Sequence, residues 1–432
     1  MVRISSWASA GIASVGLAVP ALAGNVLTVG GAGGSFADIQ SAVVAAADDD
    51  VILVRAGTYP GFVIEGKSLA VVADTGAIVD VDSQVVVRNV SSGHRVVLAG
   101  LRVVRPGTNT TSFLDAVNVL GSLRLISCEL GRSIASSSGP TAQNGVSLLG
   151  CADVAIVGCT LQGRNGPAGV YPSATGGSGL EVHVTQVAVY DSRCTGGDGG
   201  TGLPGEVGGN GGTGCALFSG ATFLFASGST FEGGDGADGF SATSCLDPAA
   251  SDGGPGGDGI RNLFGSFPTV ALLDTNAAGG SGGAGGSDAC GPHAFDGSPG
   301  SPIDLLPGSV FTQLAGTARR AAMRVPVREA TVVPVVLTGV PGELAYLTEW
   351  NDAGFLYIPL YGGVRLERAP LLRRIPMGIV PPSGTLASTL TIPSLPPGIQ
   401  ARTYFLQAYF VDPTNAVRLG SAFGQVVLDS SF

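Results

Sequence analysis

Seven short segments decide the fold: Leu69-Ala-Val71-Val72, Val96-Val-Leu98-Ala99, Leu123-Arg-Leu125-Ile126, Val154-Ala-Ile156-Val157, Val187-Ala-Val189-Tyr190, Phe223-Leu-Phe225-Ala226 and Val270-Ala-Leu272-Leu273. Each sets large apolar residues two apart, the period of a strand with one buried face. Their starts at 69, 96, 123, 154, 187, 223 and 270 are separated by 27, 27, 31, 33, 36 and 47 residues, a repeat with a growing insertion. A second strand recurs at Gly145-Val-Ser-Leu148, Gly179-Leu-Glu-Val182, Gly214-Cys-Ala-Leu217, Gly259-Ile-Arg-Asn-Leu263 and Ser301-Pro-Ile303-Asp-Leu305. The insertions fall between the two strands, so the loops emerge from one side of the stack. Self-similarity on this scale marks a solenoid or a propeller, and a propeller blade needs about four antiparallel strands. Only two or three strands fit each period here. A single coil has too little apolar surface to fold alone, whereas coils stacked about 4.8 Å apart share a core and pair their strands in parallel. The spacing therefore predicts a parallel β-helix with Leu69, Val96, Leu123, Val154, Val187, Phe223 and Val270 in one row.

The chain has 432 residues, a net charge of −10 and a pI near 4.7. That acidity argues against nucleic acid as a partner, because phosphate binding needs basic patches. Arg3, the apolar run 11–19, Pro20 and Ala21-Leu22-Ala23 match a secretory signal over residues 1–23, with cleavage expected before Gly24. The run is too short to span a bilayer, and no later stretch reads as a transmembrane segment. A secreted, extracellular or cell-surface protein is expected, with the periplasm as a further option. From Thr195 to Gly300 the only arginine or lysine is Arg261, among acids that include Asp198, Glu206, Asp235, Asp238, Asp252 and Asp258. Beyond Gly316 the chain is rich in arginine.

Ser35-Phe36-Ala37-Asp38 reads as a helix cap, and Phe36, Ile39, Val43 and Ala46 share one face of a short helix placed to cover the open end of the solenoid. Asp50-Val-Ile52-Leu-Val54, Gly57-Thr-Tyr59 and Phe62-Val-Ile64 form the first coil. The stretch from Phe36-Ala-Asp-Ile39-Gln40-Ser-Ala42 through Asp50-Val-Ile52-Leu-Val54 to Gly57-Thr58-Tyr59 resembles the entry of right-handed parallel β-helix proteins of the pectin lyase-like superfamily. Asp49-Asp50 stands where members usually have Gly-Asp. The resemblance implies a right-handed helix, assigned to residues 24–316. It leaves activity open, because the superfamily holds lyases, hydrolases, esterases, epimerases, tailspikes and adhesins. Residues 309–328 read as a last coil and a linker. Beyond them, short strands between Pro/Gly turns predict a small β-sandwich, so residues 317–432 are assigned as linker and sandwich. This domain is similar to the sandwich tails of many secreted bacterial proteins.

Glycine-rich loops such as Gly196-Gly-Asp-Gly-Gly200 and Gly279-Gly-Ser-Gly-Gly-Ala-Gly-Gly286 have the composition of disorder. Each is nonetheless tied at both ends into a coil, and glycine permits extended segments to lie against one another.

Cys128 and Cys159 occupy one place in successive first strands, followed there by Ser192, Ser229 and Thr275, which reads as an inward ladder of small side chains. Cys215 reads as core. Cys245 lies 22 residues after Phe223 and Cys290 lies 20 after Val270, matching places in adjacent loops, so a disulfide between them is expected. The rivals are pairing of Cys245 with Cys194 or Cys215, or two free thiols.

Candidate chemistry is sparse. His94 reads as a turn residue, and His293 sits in a glycine loop with no visible partner. Glu181 and His183 share one face, alternating with Leu180, Val182 and Val184, and are the best acid–base pair that the sequence offers. Asp198, Asp235 and Asp258 in Gly-Asp-Gly units, with Asp238 in the neighbouring Ala-Asp-Gly, are the calcium candidates, though the nonapeptide period of calcium-binding repeats is absent. No other cofactor is implied. Among what the resemblance tells one to seek, the Arg-x-Pro-x-x-Arg of pectate lyases is not matched by Arg102-Val-Val-Arg105-Pro. The Asn-Thr-Asp and Gly-His-Gly of polygalacturonases do not occur, and the esterase motifs are not found. The expected role is thus a non-catalytic scaffold or adhesin that contacts polysaccharide or envelope components. The alternative is a carbohydrate-active enzyme, a polysaccharide lyase or glycoside hydrolase.

Overall fold

The computed structural model describes residues 24–31, 33–104, 112–131, 143–169, 174–218, 222–263 and 267–432. The proposed signal segment and Arg105 lie outside them. Three parallel sheets of ten, eight and eight strands wrap one core, which makes the chain a parallel β-helix. The first sheet runs from Val26–Val29 to Val310–Leu314 and contains all seven repeats. The second strand of the sequence pattern builds a sheet from Val63–Glu65 to Ile303–Asp304. Between them lies a middle sheet of two- and three-residue strands, Gly57–Tyr59 to Asn276–Ala278, too short to leave a periodic signal.

The predicted row holds from Leu69 through Val96, Leu123 and Val154 to Val187. It then passes through Leu224 to Val270, while Phe223 pairs with Gln186 and Thr269. The expected register at the sixth copy was off by one residue, a slip that exchanges the faces of a strand. Its cause is the outer face of the first sheet, which is buried too. Val51, Leu53, Ala70, Val72, Val97 and Ile126 pack against the C-terminal domain, as do Tyr190 and Phe225 further along. With both faces apolar, Phe-Leu-Phe-Ala reads equally well in either register.

The corners repeat as well. Asn89, Asn118 and Val184 close successive coils with φ of 57°, 54° and 45°, and Gly66 and Gly150 fill the same place. Asparagine and glycine tolerate this left-handed conformation, whereas valine is strained in it. Val184 is therefore an exposed corner residue, not an inward one. Inside, the Cys128 amide donates to Cys159 Sγ at 3.3 Å, that of Cys159 to Ser192 Oγ at 3.0 Å, and that of Ser192 to Ser229 Oγ at 3.3 Å. This is the expected ladder, and Cys215 is buried in the same core.

The helix spans Ile39–Ala45 and buries Ile39, Ala42 and Val43 against the first coil. Its cap is Asp38, whose carboxylate accepts from the Ser41 amide at 2.7 Å. Ser35 does not cap it, because Phe36 is drawn into a bridge with Val29.

The C-terminal domain has a three-stranded and a five-stranded antiparallel-rich sheet around a shared core. Arg320–Ala322, expected in a linker, already pairs with the sandwich strand Val332–Thr338. Leu344–Ile358 and Gly363–Ile379 form one long hairpin whose second strand is the sheet edge, where Pro370 and Pro376 are tolerated. Three corner acids of the β-helix hold the segment that leads into this domain. Asp74 pairs with Arg328 at 2.8 Å, Asp191 pairs with Arg320 at 2.6 Å, and Asp274 accepts from the Ala318 amide at 2.9 Å.

Candidate functional site

The glycine loops are ordered by backbone hydrogen bonds. Residues 163–169, 196–201, 233–239 and 279–287 run outward from the middle sheet, and 174–179, 208–214, 251–259 and 294–301 run back to the third. Gly163, Gly166 and Gly169 donate to the carbonyls of Thr195, Asp198 and Thr201 at 2.8, 2.7 and 2.8 Å. Bonds at every third residue fit the three residues per turn of polyproline II. A second set crosses between the outward and returning layers: Gly197 to Gly177, Gly212 to Gly197, Gly234 to Gly212, Gly257 to Gly234, Gly280 to Gly257 and Gly300 to Gly280, all at 2.7–2.9 Å. Glycine is required because the backbones touch. A Cβ on Gly257 would sit 1.9 Å from the Gly212 carbonyl oxygen.

The two glycines of each triplet thus spend their amides on neighbouring segments, and the third residue turns its side chain outward. Its own amide finds a partner in the previous coil. Asp235 donates to Asp198 Oδ1 at 3.0 Å, Ser281 to Asp235 Oδ1 at 2.8 Å, Ala284 to Asp238 Oδ1 at 2.8 Å and Ser301 to Asp258 Oδ1 at 2.7 Å. The four calcium candidates are therefore strung along the layers as amide acceptors, Asp198 in one loop and Asp235, Asp238 and Asp258 spread along the next. This donor set does not fit a calcium ion, which needs six to eight oxygens converging on one point. Among the described residues no three His, Cys, Asp or Glu side chains gather around a common centre.

Where the returning layer meets the outer face of the third sheet, a groove of about 530 Å³ opens. Thr175, Ser178 and Asn210 line its glycine wall, and Asp258, Arg261 and Asp304 its floor. The Arg261 guanidinium lies 3.4 Å from Asp258 and 3.6 Å from Asp304, which fixes a half-exposed cation between two acids. The same sheet face carries Glu181 and His183 on one strand, two coils from Arg261. His183 Nε2 is 2.7 Å from Glu181 Oε1, and its ring stacks on Phe218 at 4.3 Å. Asn144 Nδ2 donates to Glu181 Oε2 at 2.6 Å, and the strained Val184 follows His183 directly.

In the same column stands Asp115, two coils from Glu181 through Ser147. Burial pushes its carboxyl above the ordinary range, against donation from Ser112 and Gln84, and Glu181 adds to the rise. Gln84 Nε2 reaches Asp115 Oδ2 at 2.5 Å. Sequence reasoning missed Asp115 because its strand, Ser112–Val117, was not aligned with the later copies. The signal was present: Leu114 and Ala116 alternate with it.

Cys245 and Cys290 form the expected disulfide, with Cα atoms 5.4 Å apart, joining the outer ends of the last two glycine loops. No helix among the described residues is long and apolar enough to cross a membrane. No protein-family model matches this chain, and no curated protein matches it significantly.

Proposed function

We propose that the protein is an exported, non-catalytic β-helix of the pectin lyase-like type that binds a neutral polysaccharide along the groove between the third sheet and the returning glycine layer. The observation that carries this reading is the groove itself: an open channel lined by hydroxyls, an amide, backbone and one Arg261 cation held between carboxylates. Such a lining offers both donors and acceptors to sugar hydroxyls. The acidic glycine layers disfavour a polyuronate, which they would repel. Export is supported by the signal-like first 23 residues and by a disulfide, which persists in oxidising compartments. Retention in affinity electrophoresis against a panel of neutral and acidic polysaccharides tests the reading. At least one neutral polymer retards the wild type, and Arg261→Ala restores most of the mobility. Equal mobility in every gel would reject it.

The row Asp115, Ser147, Glu181 and the contact from Glu181 to His183 favour a second reading, a glycoside hydrolase. A carboxyl whose affinity for its proton is raised by burial suits a general acid, and Glu181, held by Asn144 and His183, would serve as base. Release of reducing ends that is lost in both Asp115→Asn and Glu181→Gln would put this reading first.

A further inference from the structure

A cleft of about 220 Å³ lies where the C-terminal hairpin crosses the corners of four successive coils. One wall is built from corner residues His94, Ser122, Asp153 and Gln186, the other from Asp352, Phe355 and Arg368 of the hairpin. It is remote from the glycine layers and exists only because the C-terminal domain is docked. Ligand sites favour such junctions between domains.

Its polar groups are fixed before any ligand arrives. The Ser122 amide donates to the His94 carbonyl at 3.0 Å, which ties two corners together. Asp153 is buried and faces Arg124 at 2.8 Å, and Asp352 stands opposite Arg368 in the hairpin register. Phe355 is held edge-on to Phe223 at 5.8 Å. Against this order, His94 Nδ1 is buried with no hydrogen-bond partner among the described residues. A buried ring nitrogen left unpaired is costly, so His94 brings an unmet hydrogen bond to the cleft wall.

From this geometry we infer that the interdomain cleft is a binding site for one neutral sugar ring. The charges about the cleft balance in number, Asp153 with its partner Arg124 and Asp352 with Arg368, so it offers neither an anion nor a cation a net opposite charge. An aromatic wall next to an amide, a hydroxyl, a carboxylate and an imidazole matches a ring with an apolar C–H face and several hydroxyls. The volume is below the roughly 300–1,000 Å³ of drug-sized sites, which fits one ring and excludes an oligomer lying inside. The cleft shares a ligand class with the groove reading but none of its residues.

Isothermal titration of the full chain with D-galactose, D-glucose and D-mannose, with D-galacturonate as the charged comparator, tests the site. At least one neutral hexose binds, and both Gln186→Ala and Asp352→Asn weaken it about tenfold, the cost of one lost ligand hydrogen bond. Both variants are checked for an unchanged Tm. The inference is overturned if no neutral hexose binds, if galacturonate alone binds, or if the two cleft variants bind like the wild type. Hexose binding without polymer retention would leave the cleft standing and remove the groove.

Discussion

The Ser281 amide donates to Asp235 Oδ1 at 2.8 Å and the Ser281 hydroxyl to the same oxygen at 2.7 Å, joining two coils through one carboxylate. Asp235 in turn donates its own amide to Asp198. The acidity of the loops thus has a structural cause: the third amide of a glycine triplet needs an acceptor, and at Asp235, Ser281, Ala284 and Ser301 an outward aspartate of the neighbouring coil supplies it, as Asn165 does for Asp198 and Ser241 for Ser287.

Asp235→Ala is expected to lower stability by about 1 kcal/mol or less, since solvent can replace an exposed acceptor. The larger effect is local: hydrogen exchange at Ser281 and its neighbours quickens, while Asp235→Asn keeps an acceptor and stays near wild type. Unchanged exchange in the alanine variant would remove the ladder as a cause of order. The same use of the carboxylates predicts that chelation by EDTA leaves the Tm unmoved.

Gly257→Ala should be far more damaging than any change at an outward position. The new methyl would meet the Gly212 carbonyl oxygen at 1.9 Å, and that oxygen belongs to a backbone fixed from both sides. Overpacking of this kind costs about 1–3 kcal/mol or more. Asn210→Ala, on an exposed outward side chain of the same layer, is expected within about 0.5 kcal/mol of wild type. Comparable melting temperatures for the two variants would show that the layers are not packed backbone to backbone.

The sheets were legible because repeats of period two kept a constant offset, and each coil hides its core in the same way. The register at Phe223 was not, because Phe225 and Phe223 face a second apolar surface that only the folded C-terminal domain provides. Gly363–Ile379 escaped notice for the opposite reason, its prolines and arginines having the look of a loop until the edge position excuses them. The glycine layers carry no hydrophobic period at all, and their order lies in a Gly-Gly-X spacing that speaks through backbone hydrogen bonds. Glu181 and His183 could be placed on one face from alternation alone. Asp115 joins them only through the stacking register, and the cleft beside His94 needs two parts of the chain that are far apart in sequence.

Cys245 and Cys290 close a span of 45 residues at the outer ends of two loops that have little apolar surface. On the chain-entropy estimate such a closure contributes roughly 3–4 kcal/mol. The double variant Cys245→Ser, Cys290→Ser is expected to unfold at a lower temperature than the wild type. Limited proteolysis should cut first within residues 240–295. Cleavage elsewhere, with an unchanged Tm, would mean that the loops hold themselves without the bond.

Asp191 gives the attachment of the C-terminal domain a pH dependence. It faces Arg320 at 2.6 Å, which favours the charged form, yet burial dominates and its carboxyl is pushed up to about 7. In the unfolded chain an aspartate titrates near 3.9. Between these values the folded state holds a proton that the unfolded state has lost. The stability associated with this group is therefore complete below about pH 4 and declines as the pH rises through 7. Asp115 and Asp153 are shifted in the same direction by burial and add to the slope. Because Asp191 is about one-fifth exposed and paired, its own share is on the order of 1–3 kcal/mol. Wild-type protein is expected to melt at a lower temperature at pH 8 than at pH 5, and Asp191→Asn, which cannot titrate, should show a smaller drop. Parallel curves for the two proteins would mean that Arg320 keeps Asp191 ionised throughout and that the attachment is insensitive to pH at this residue.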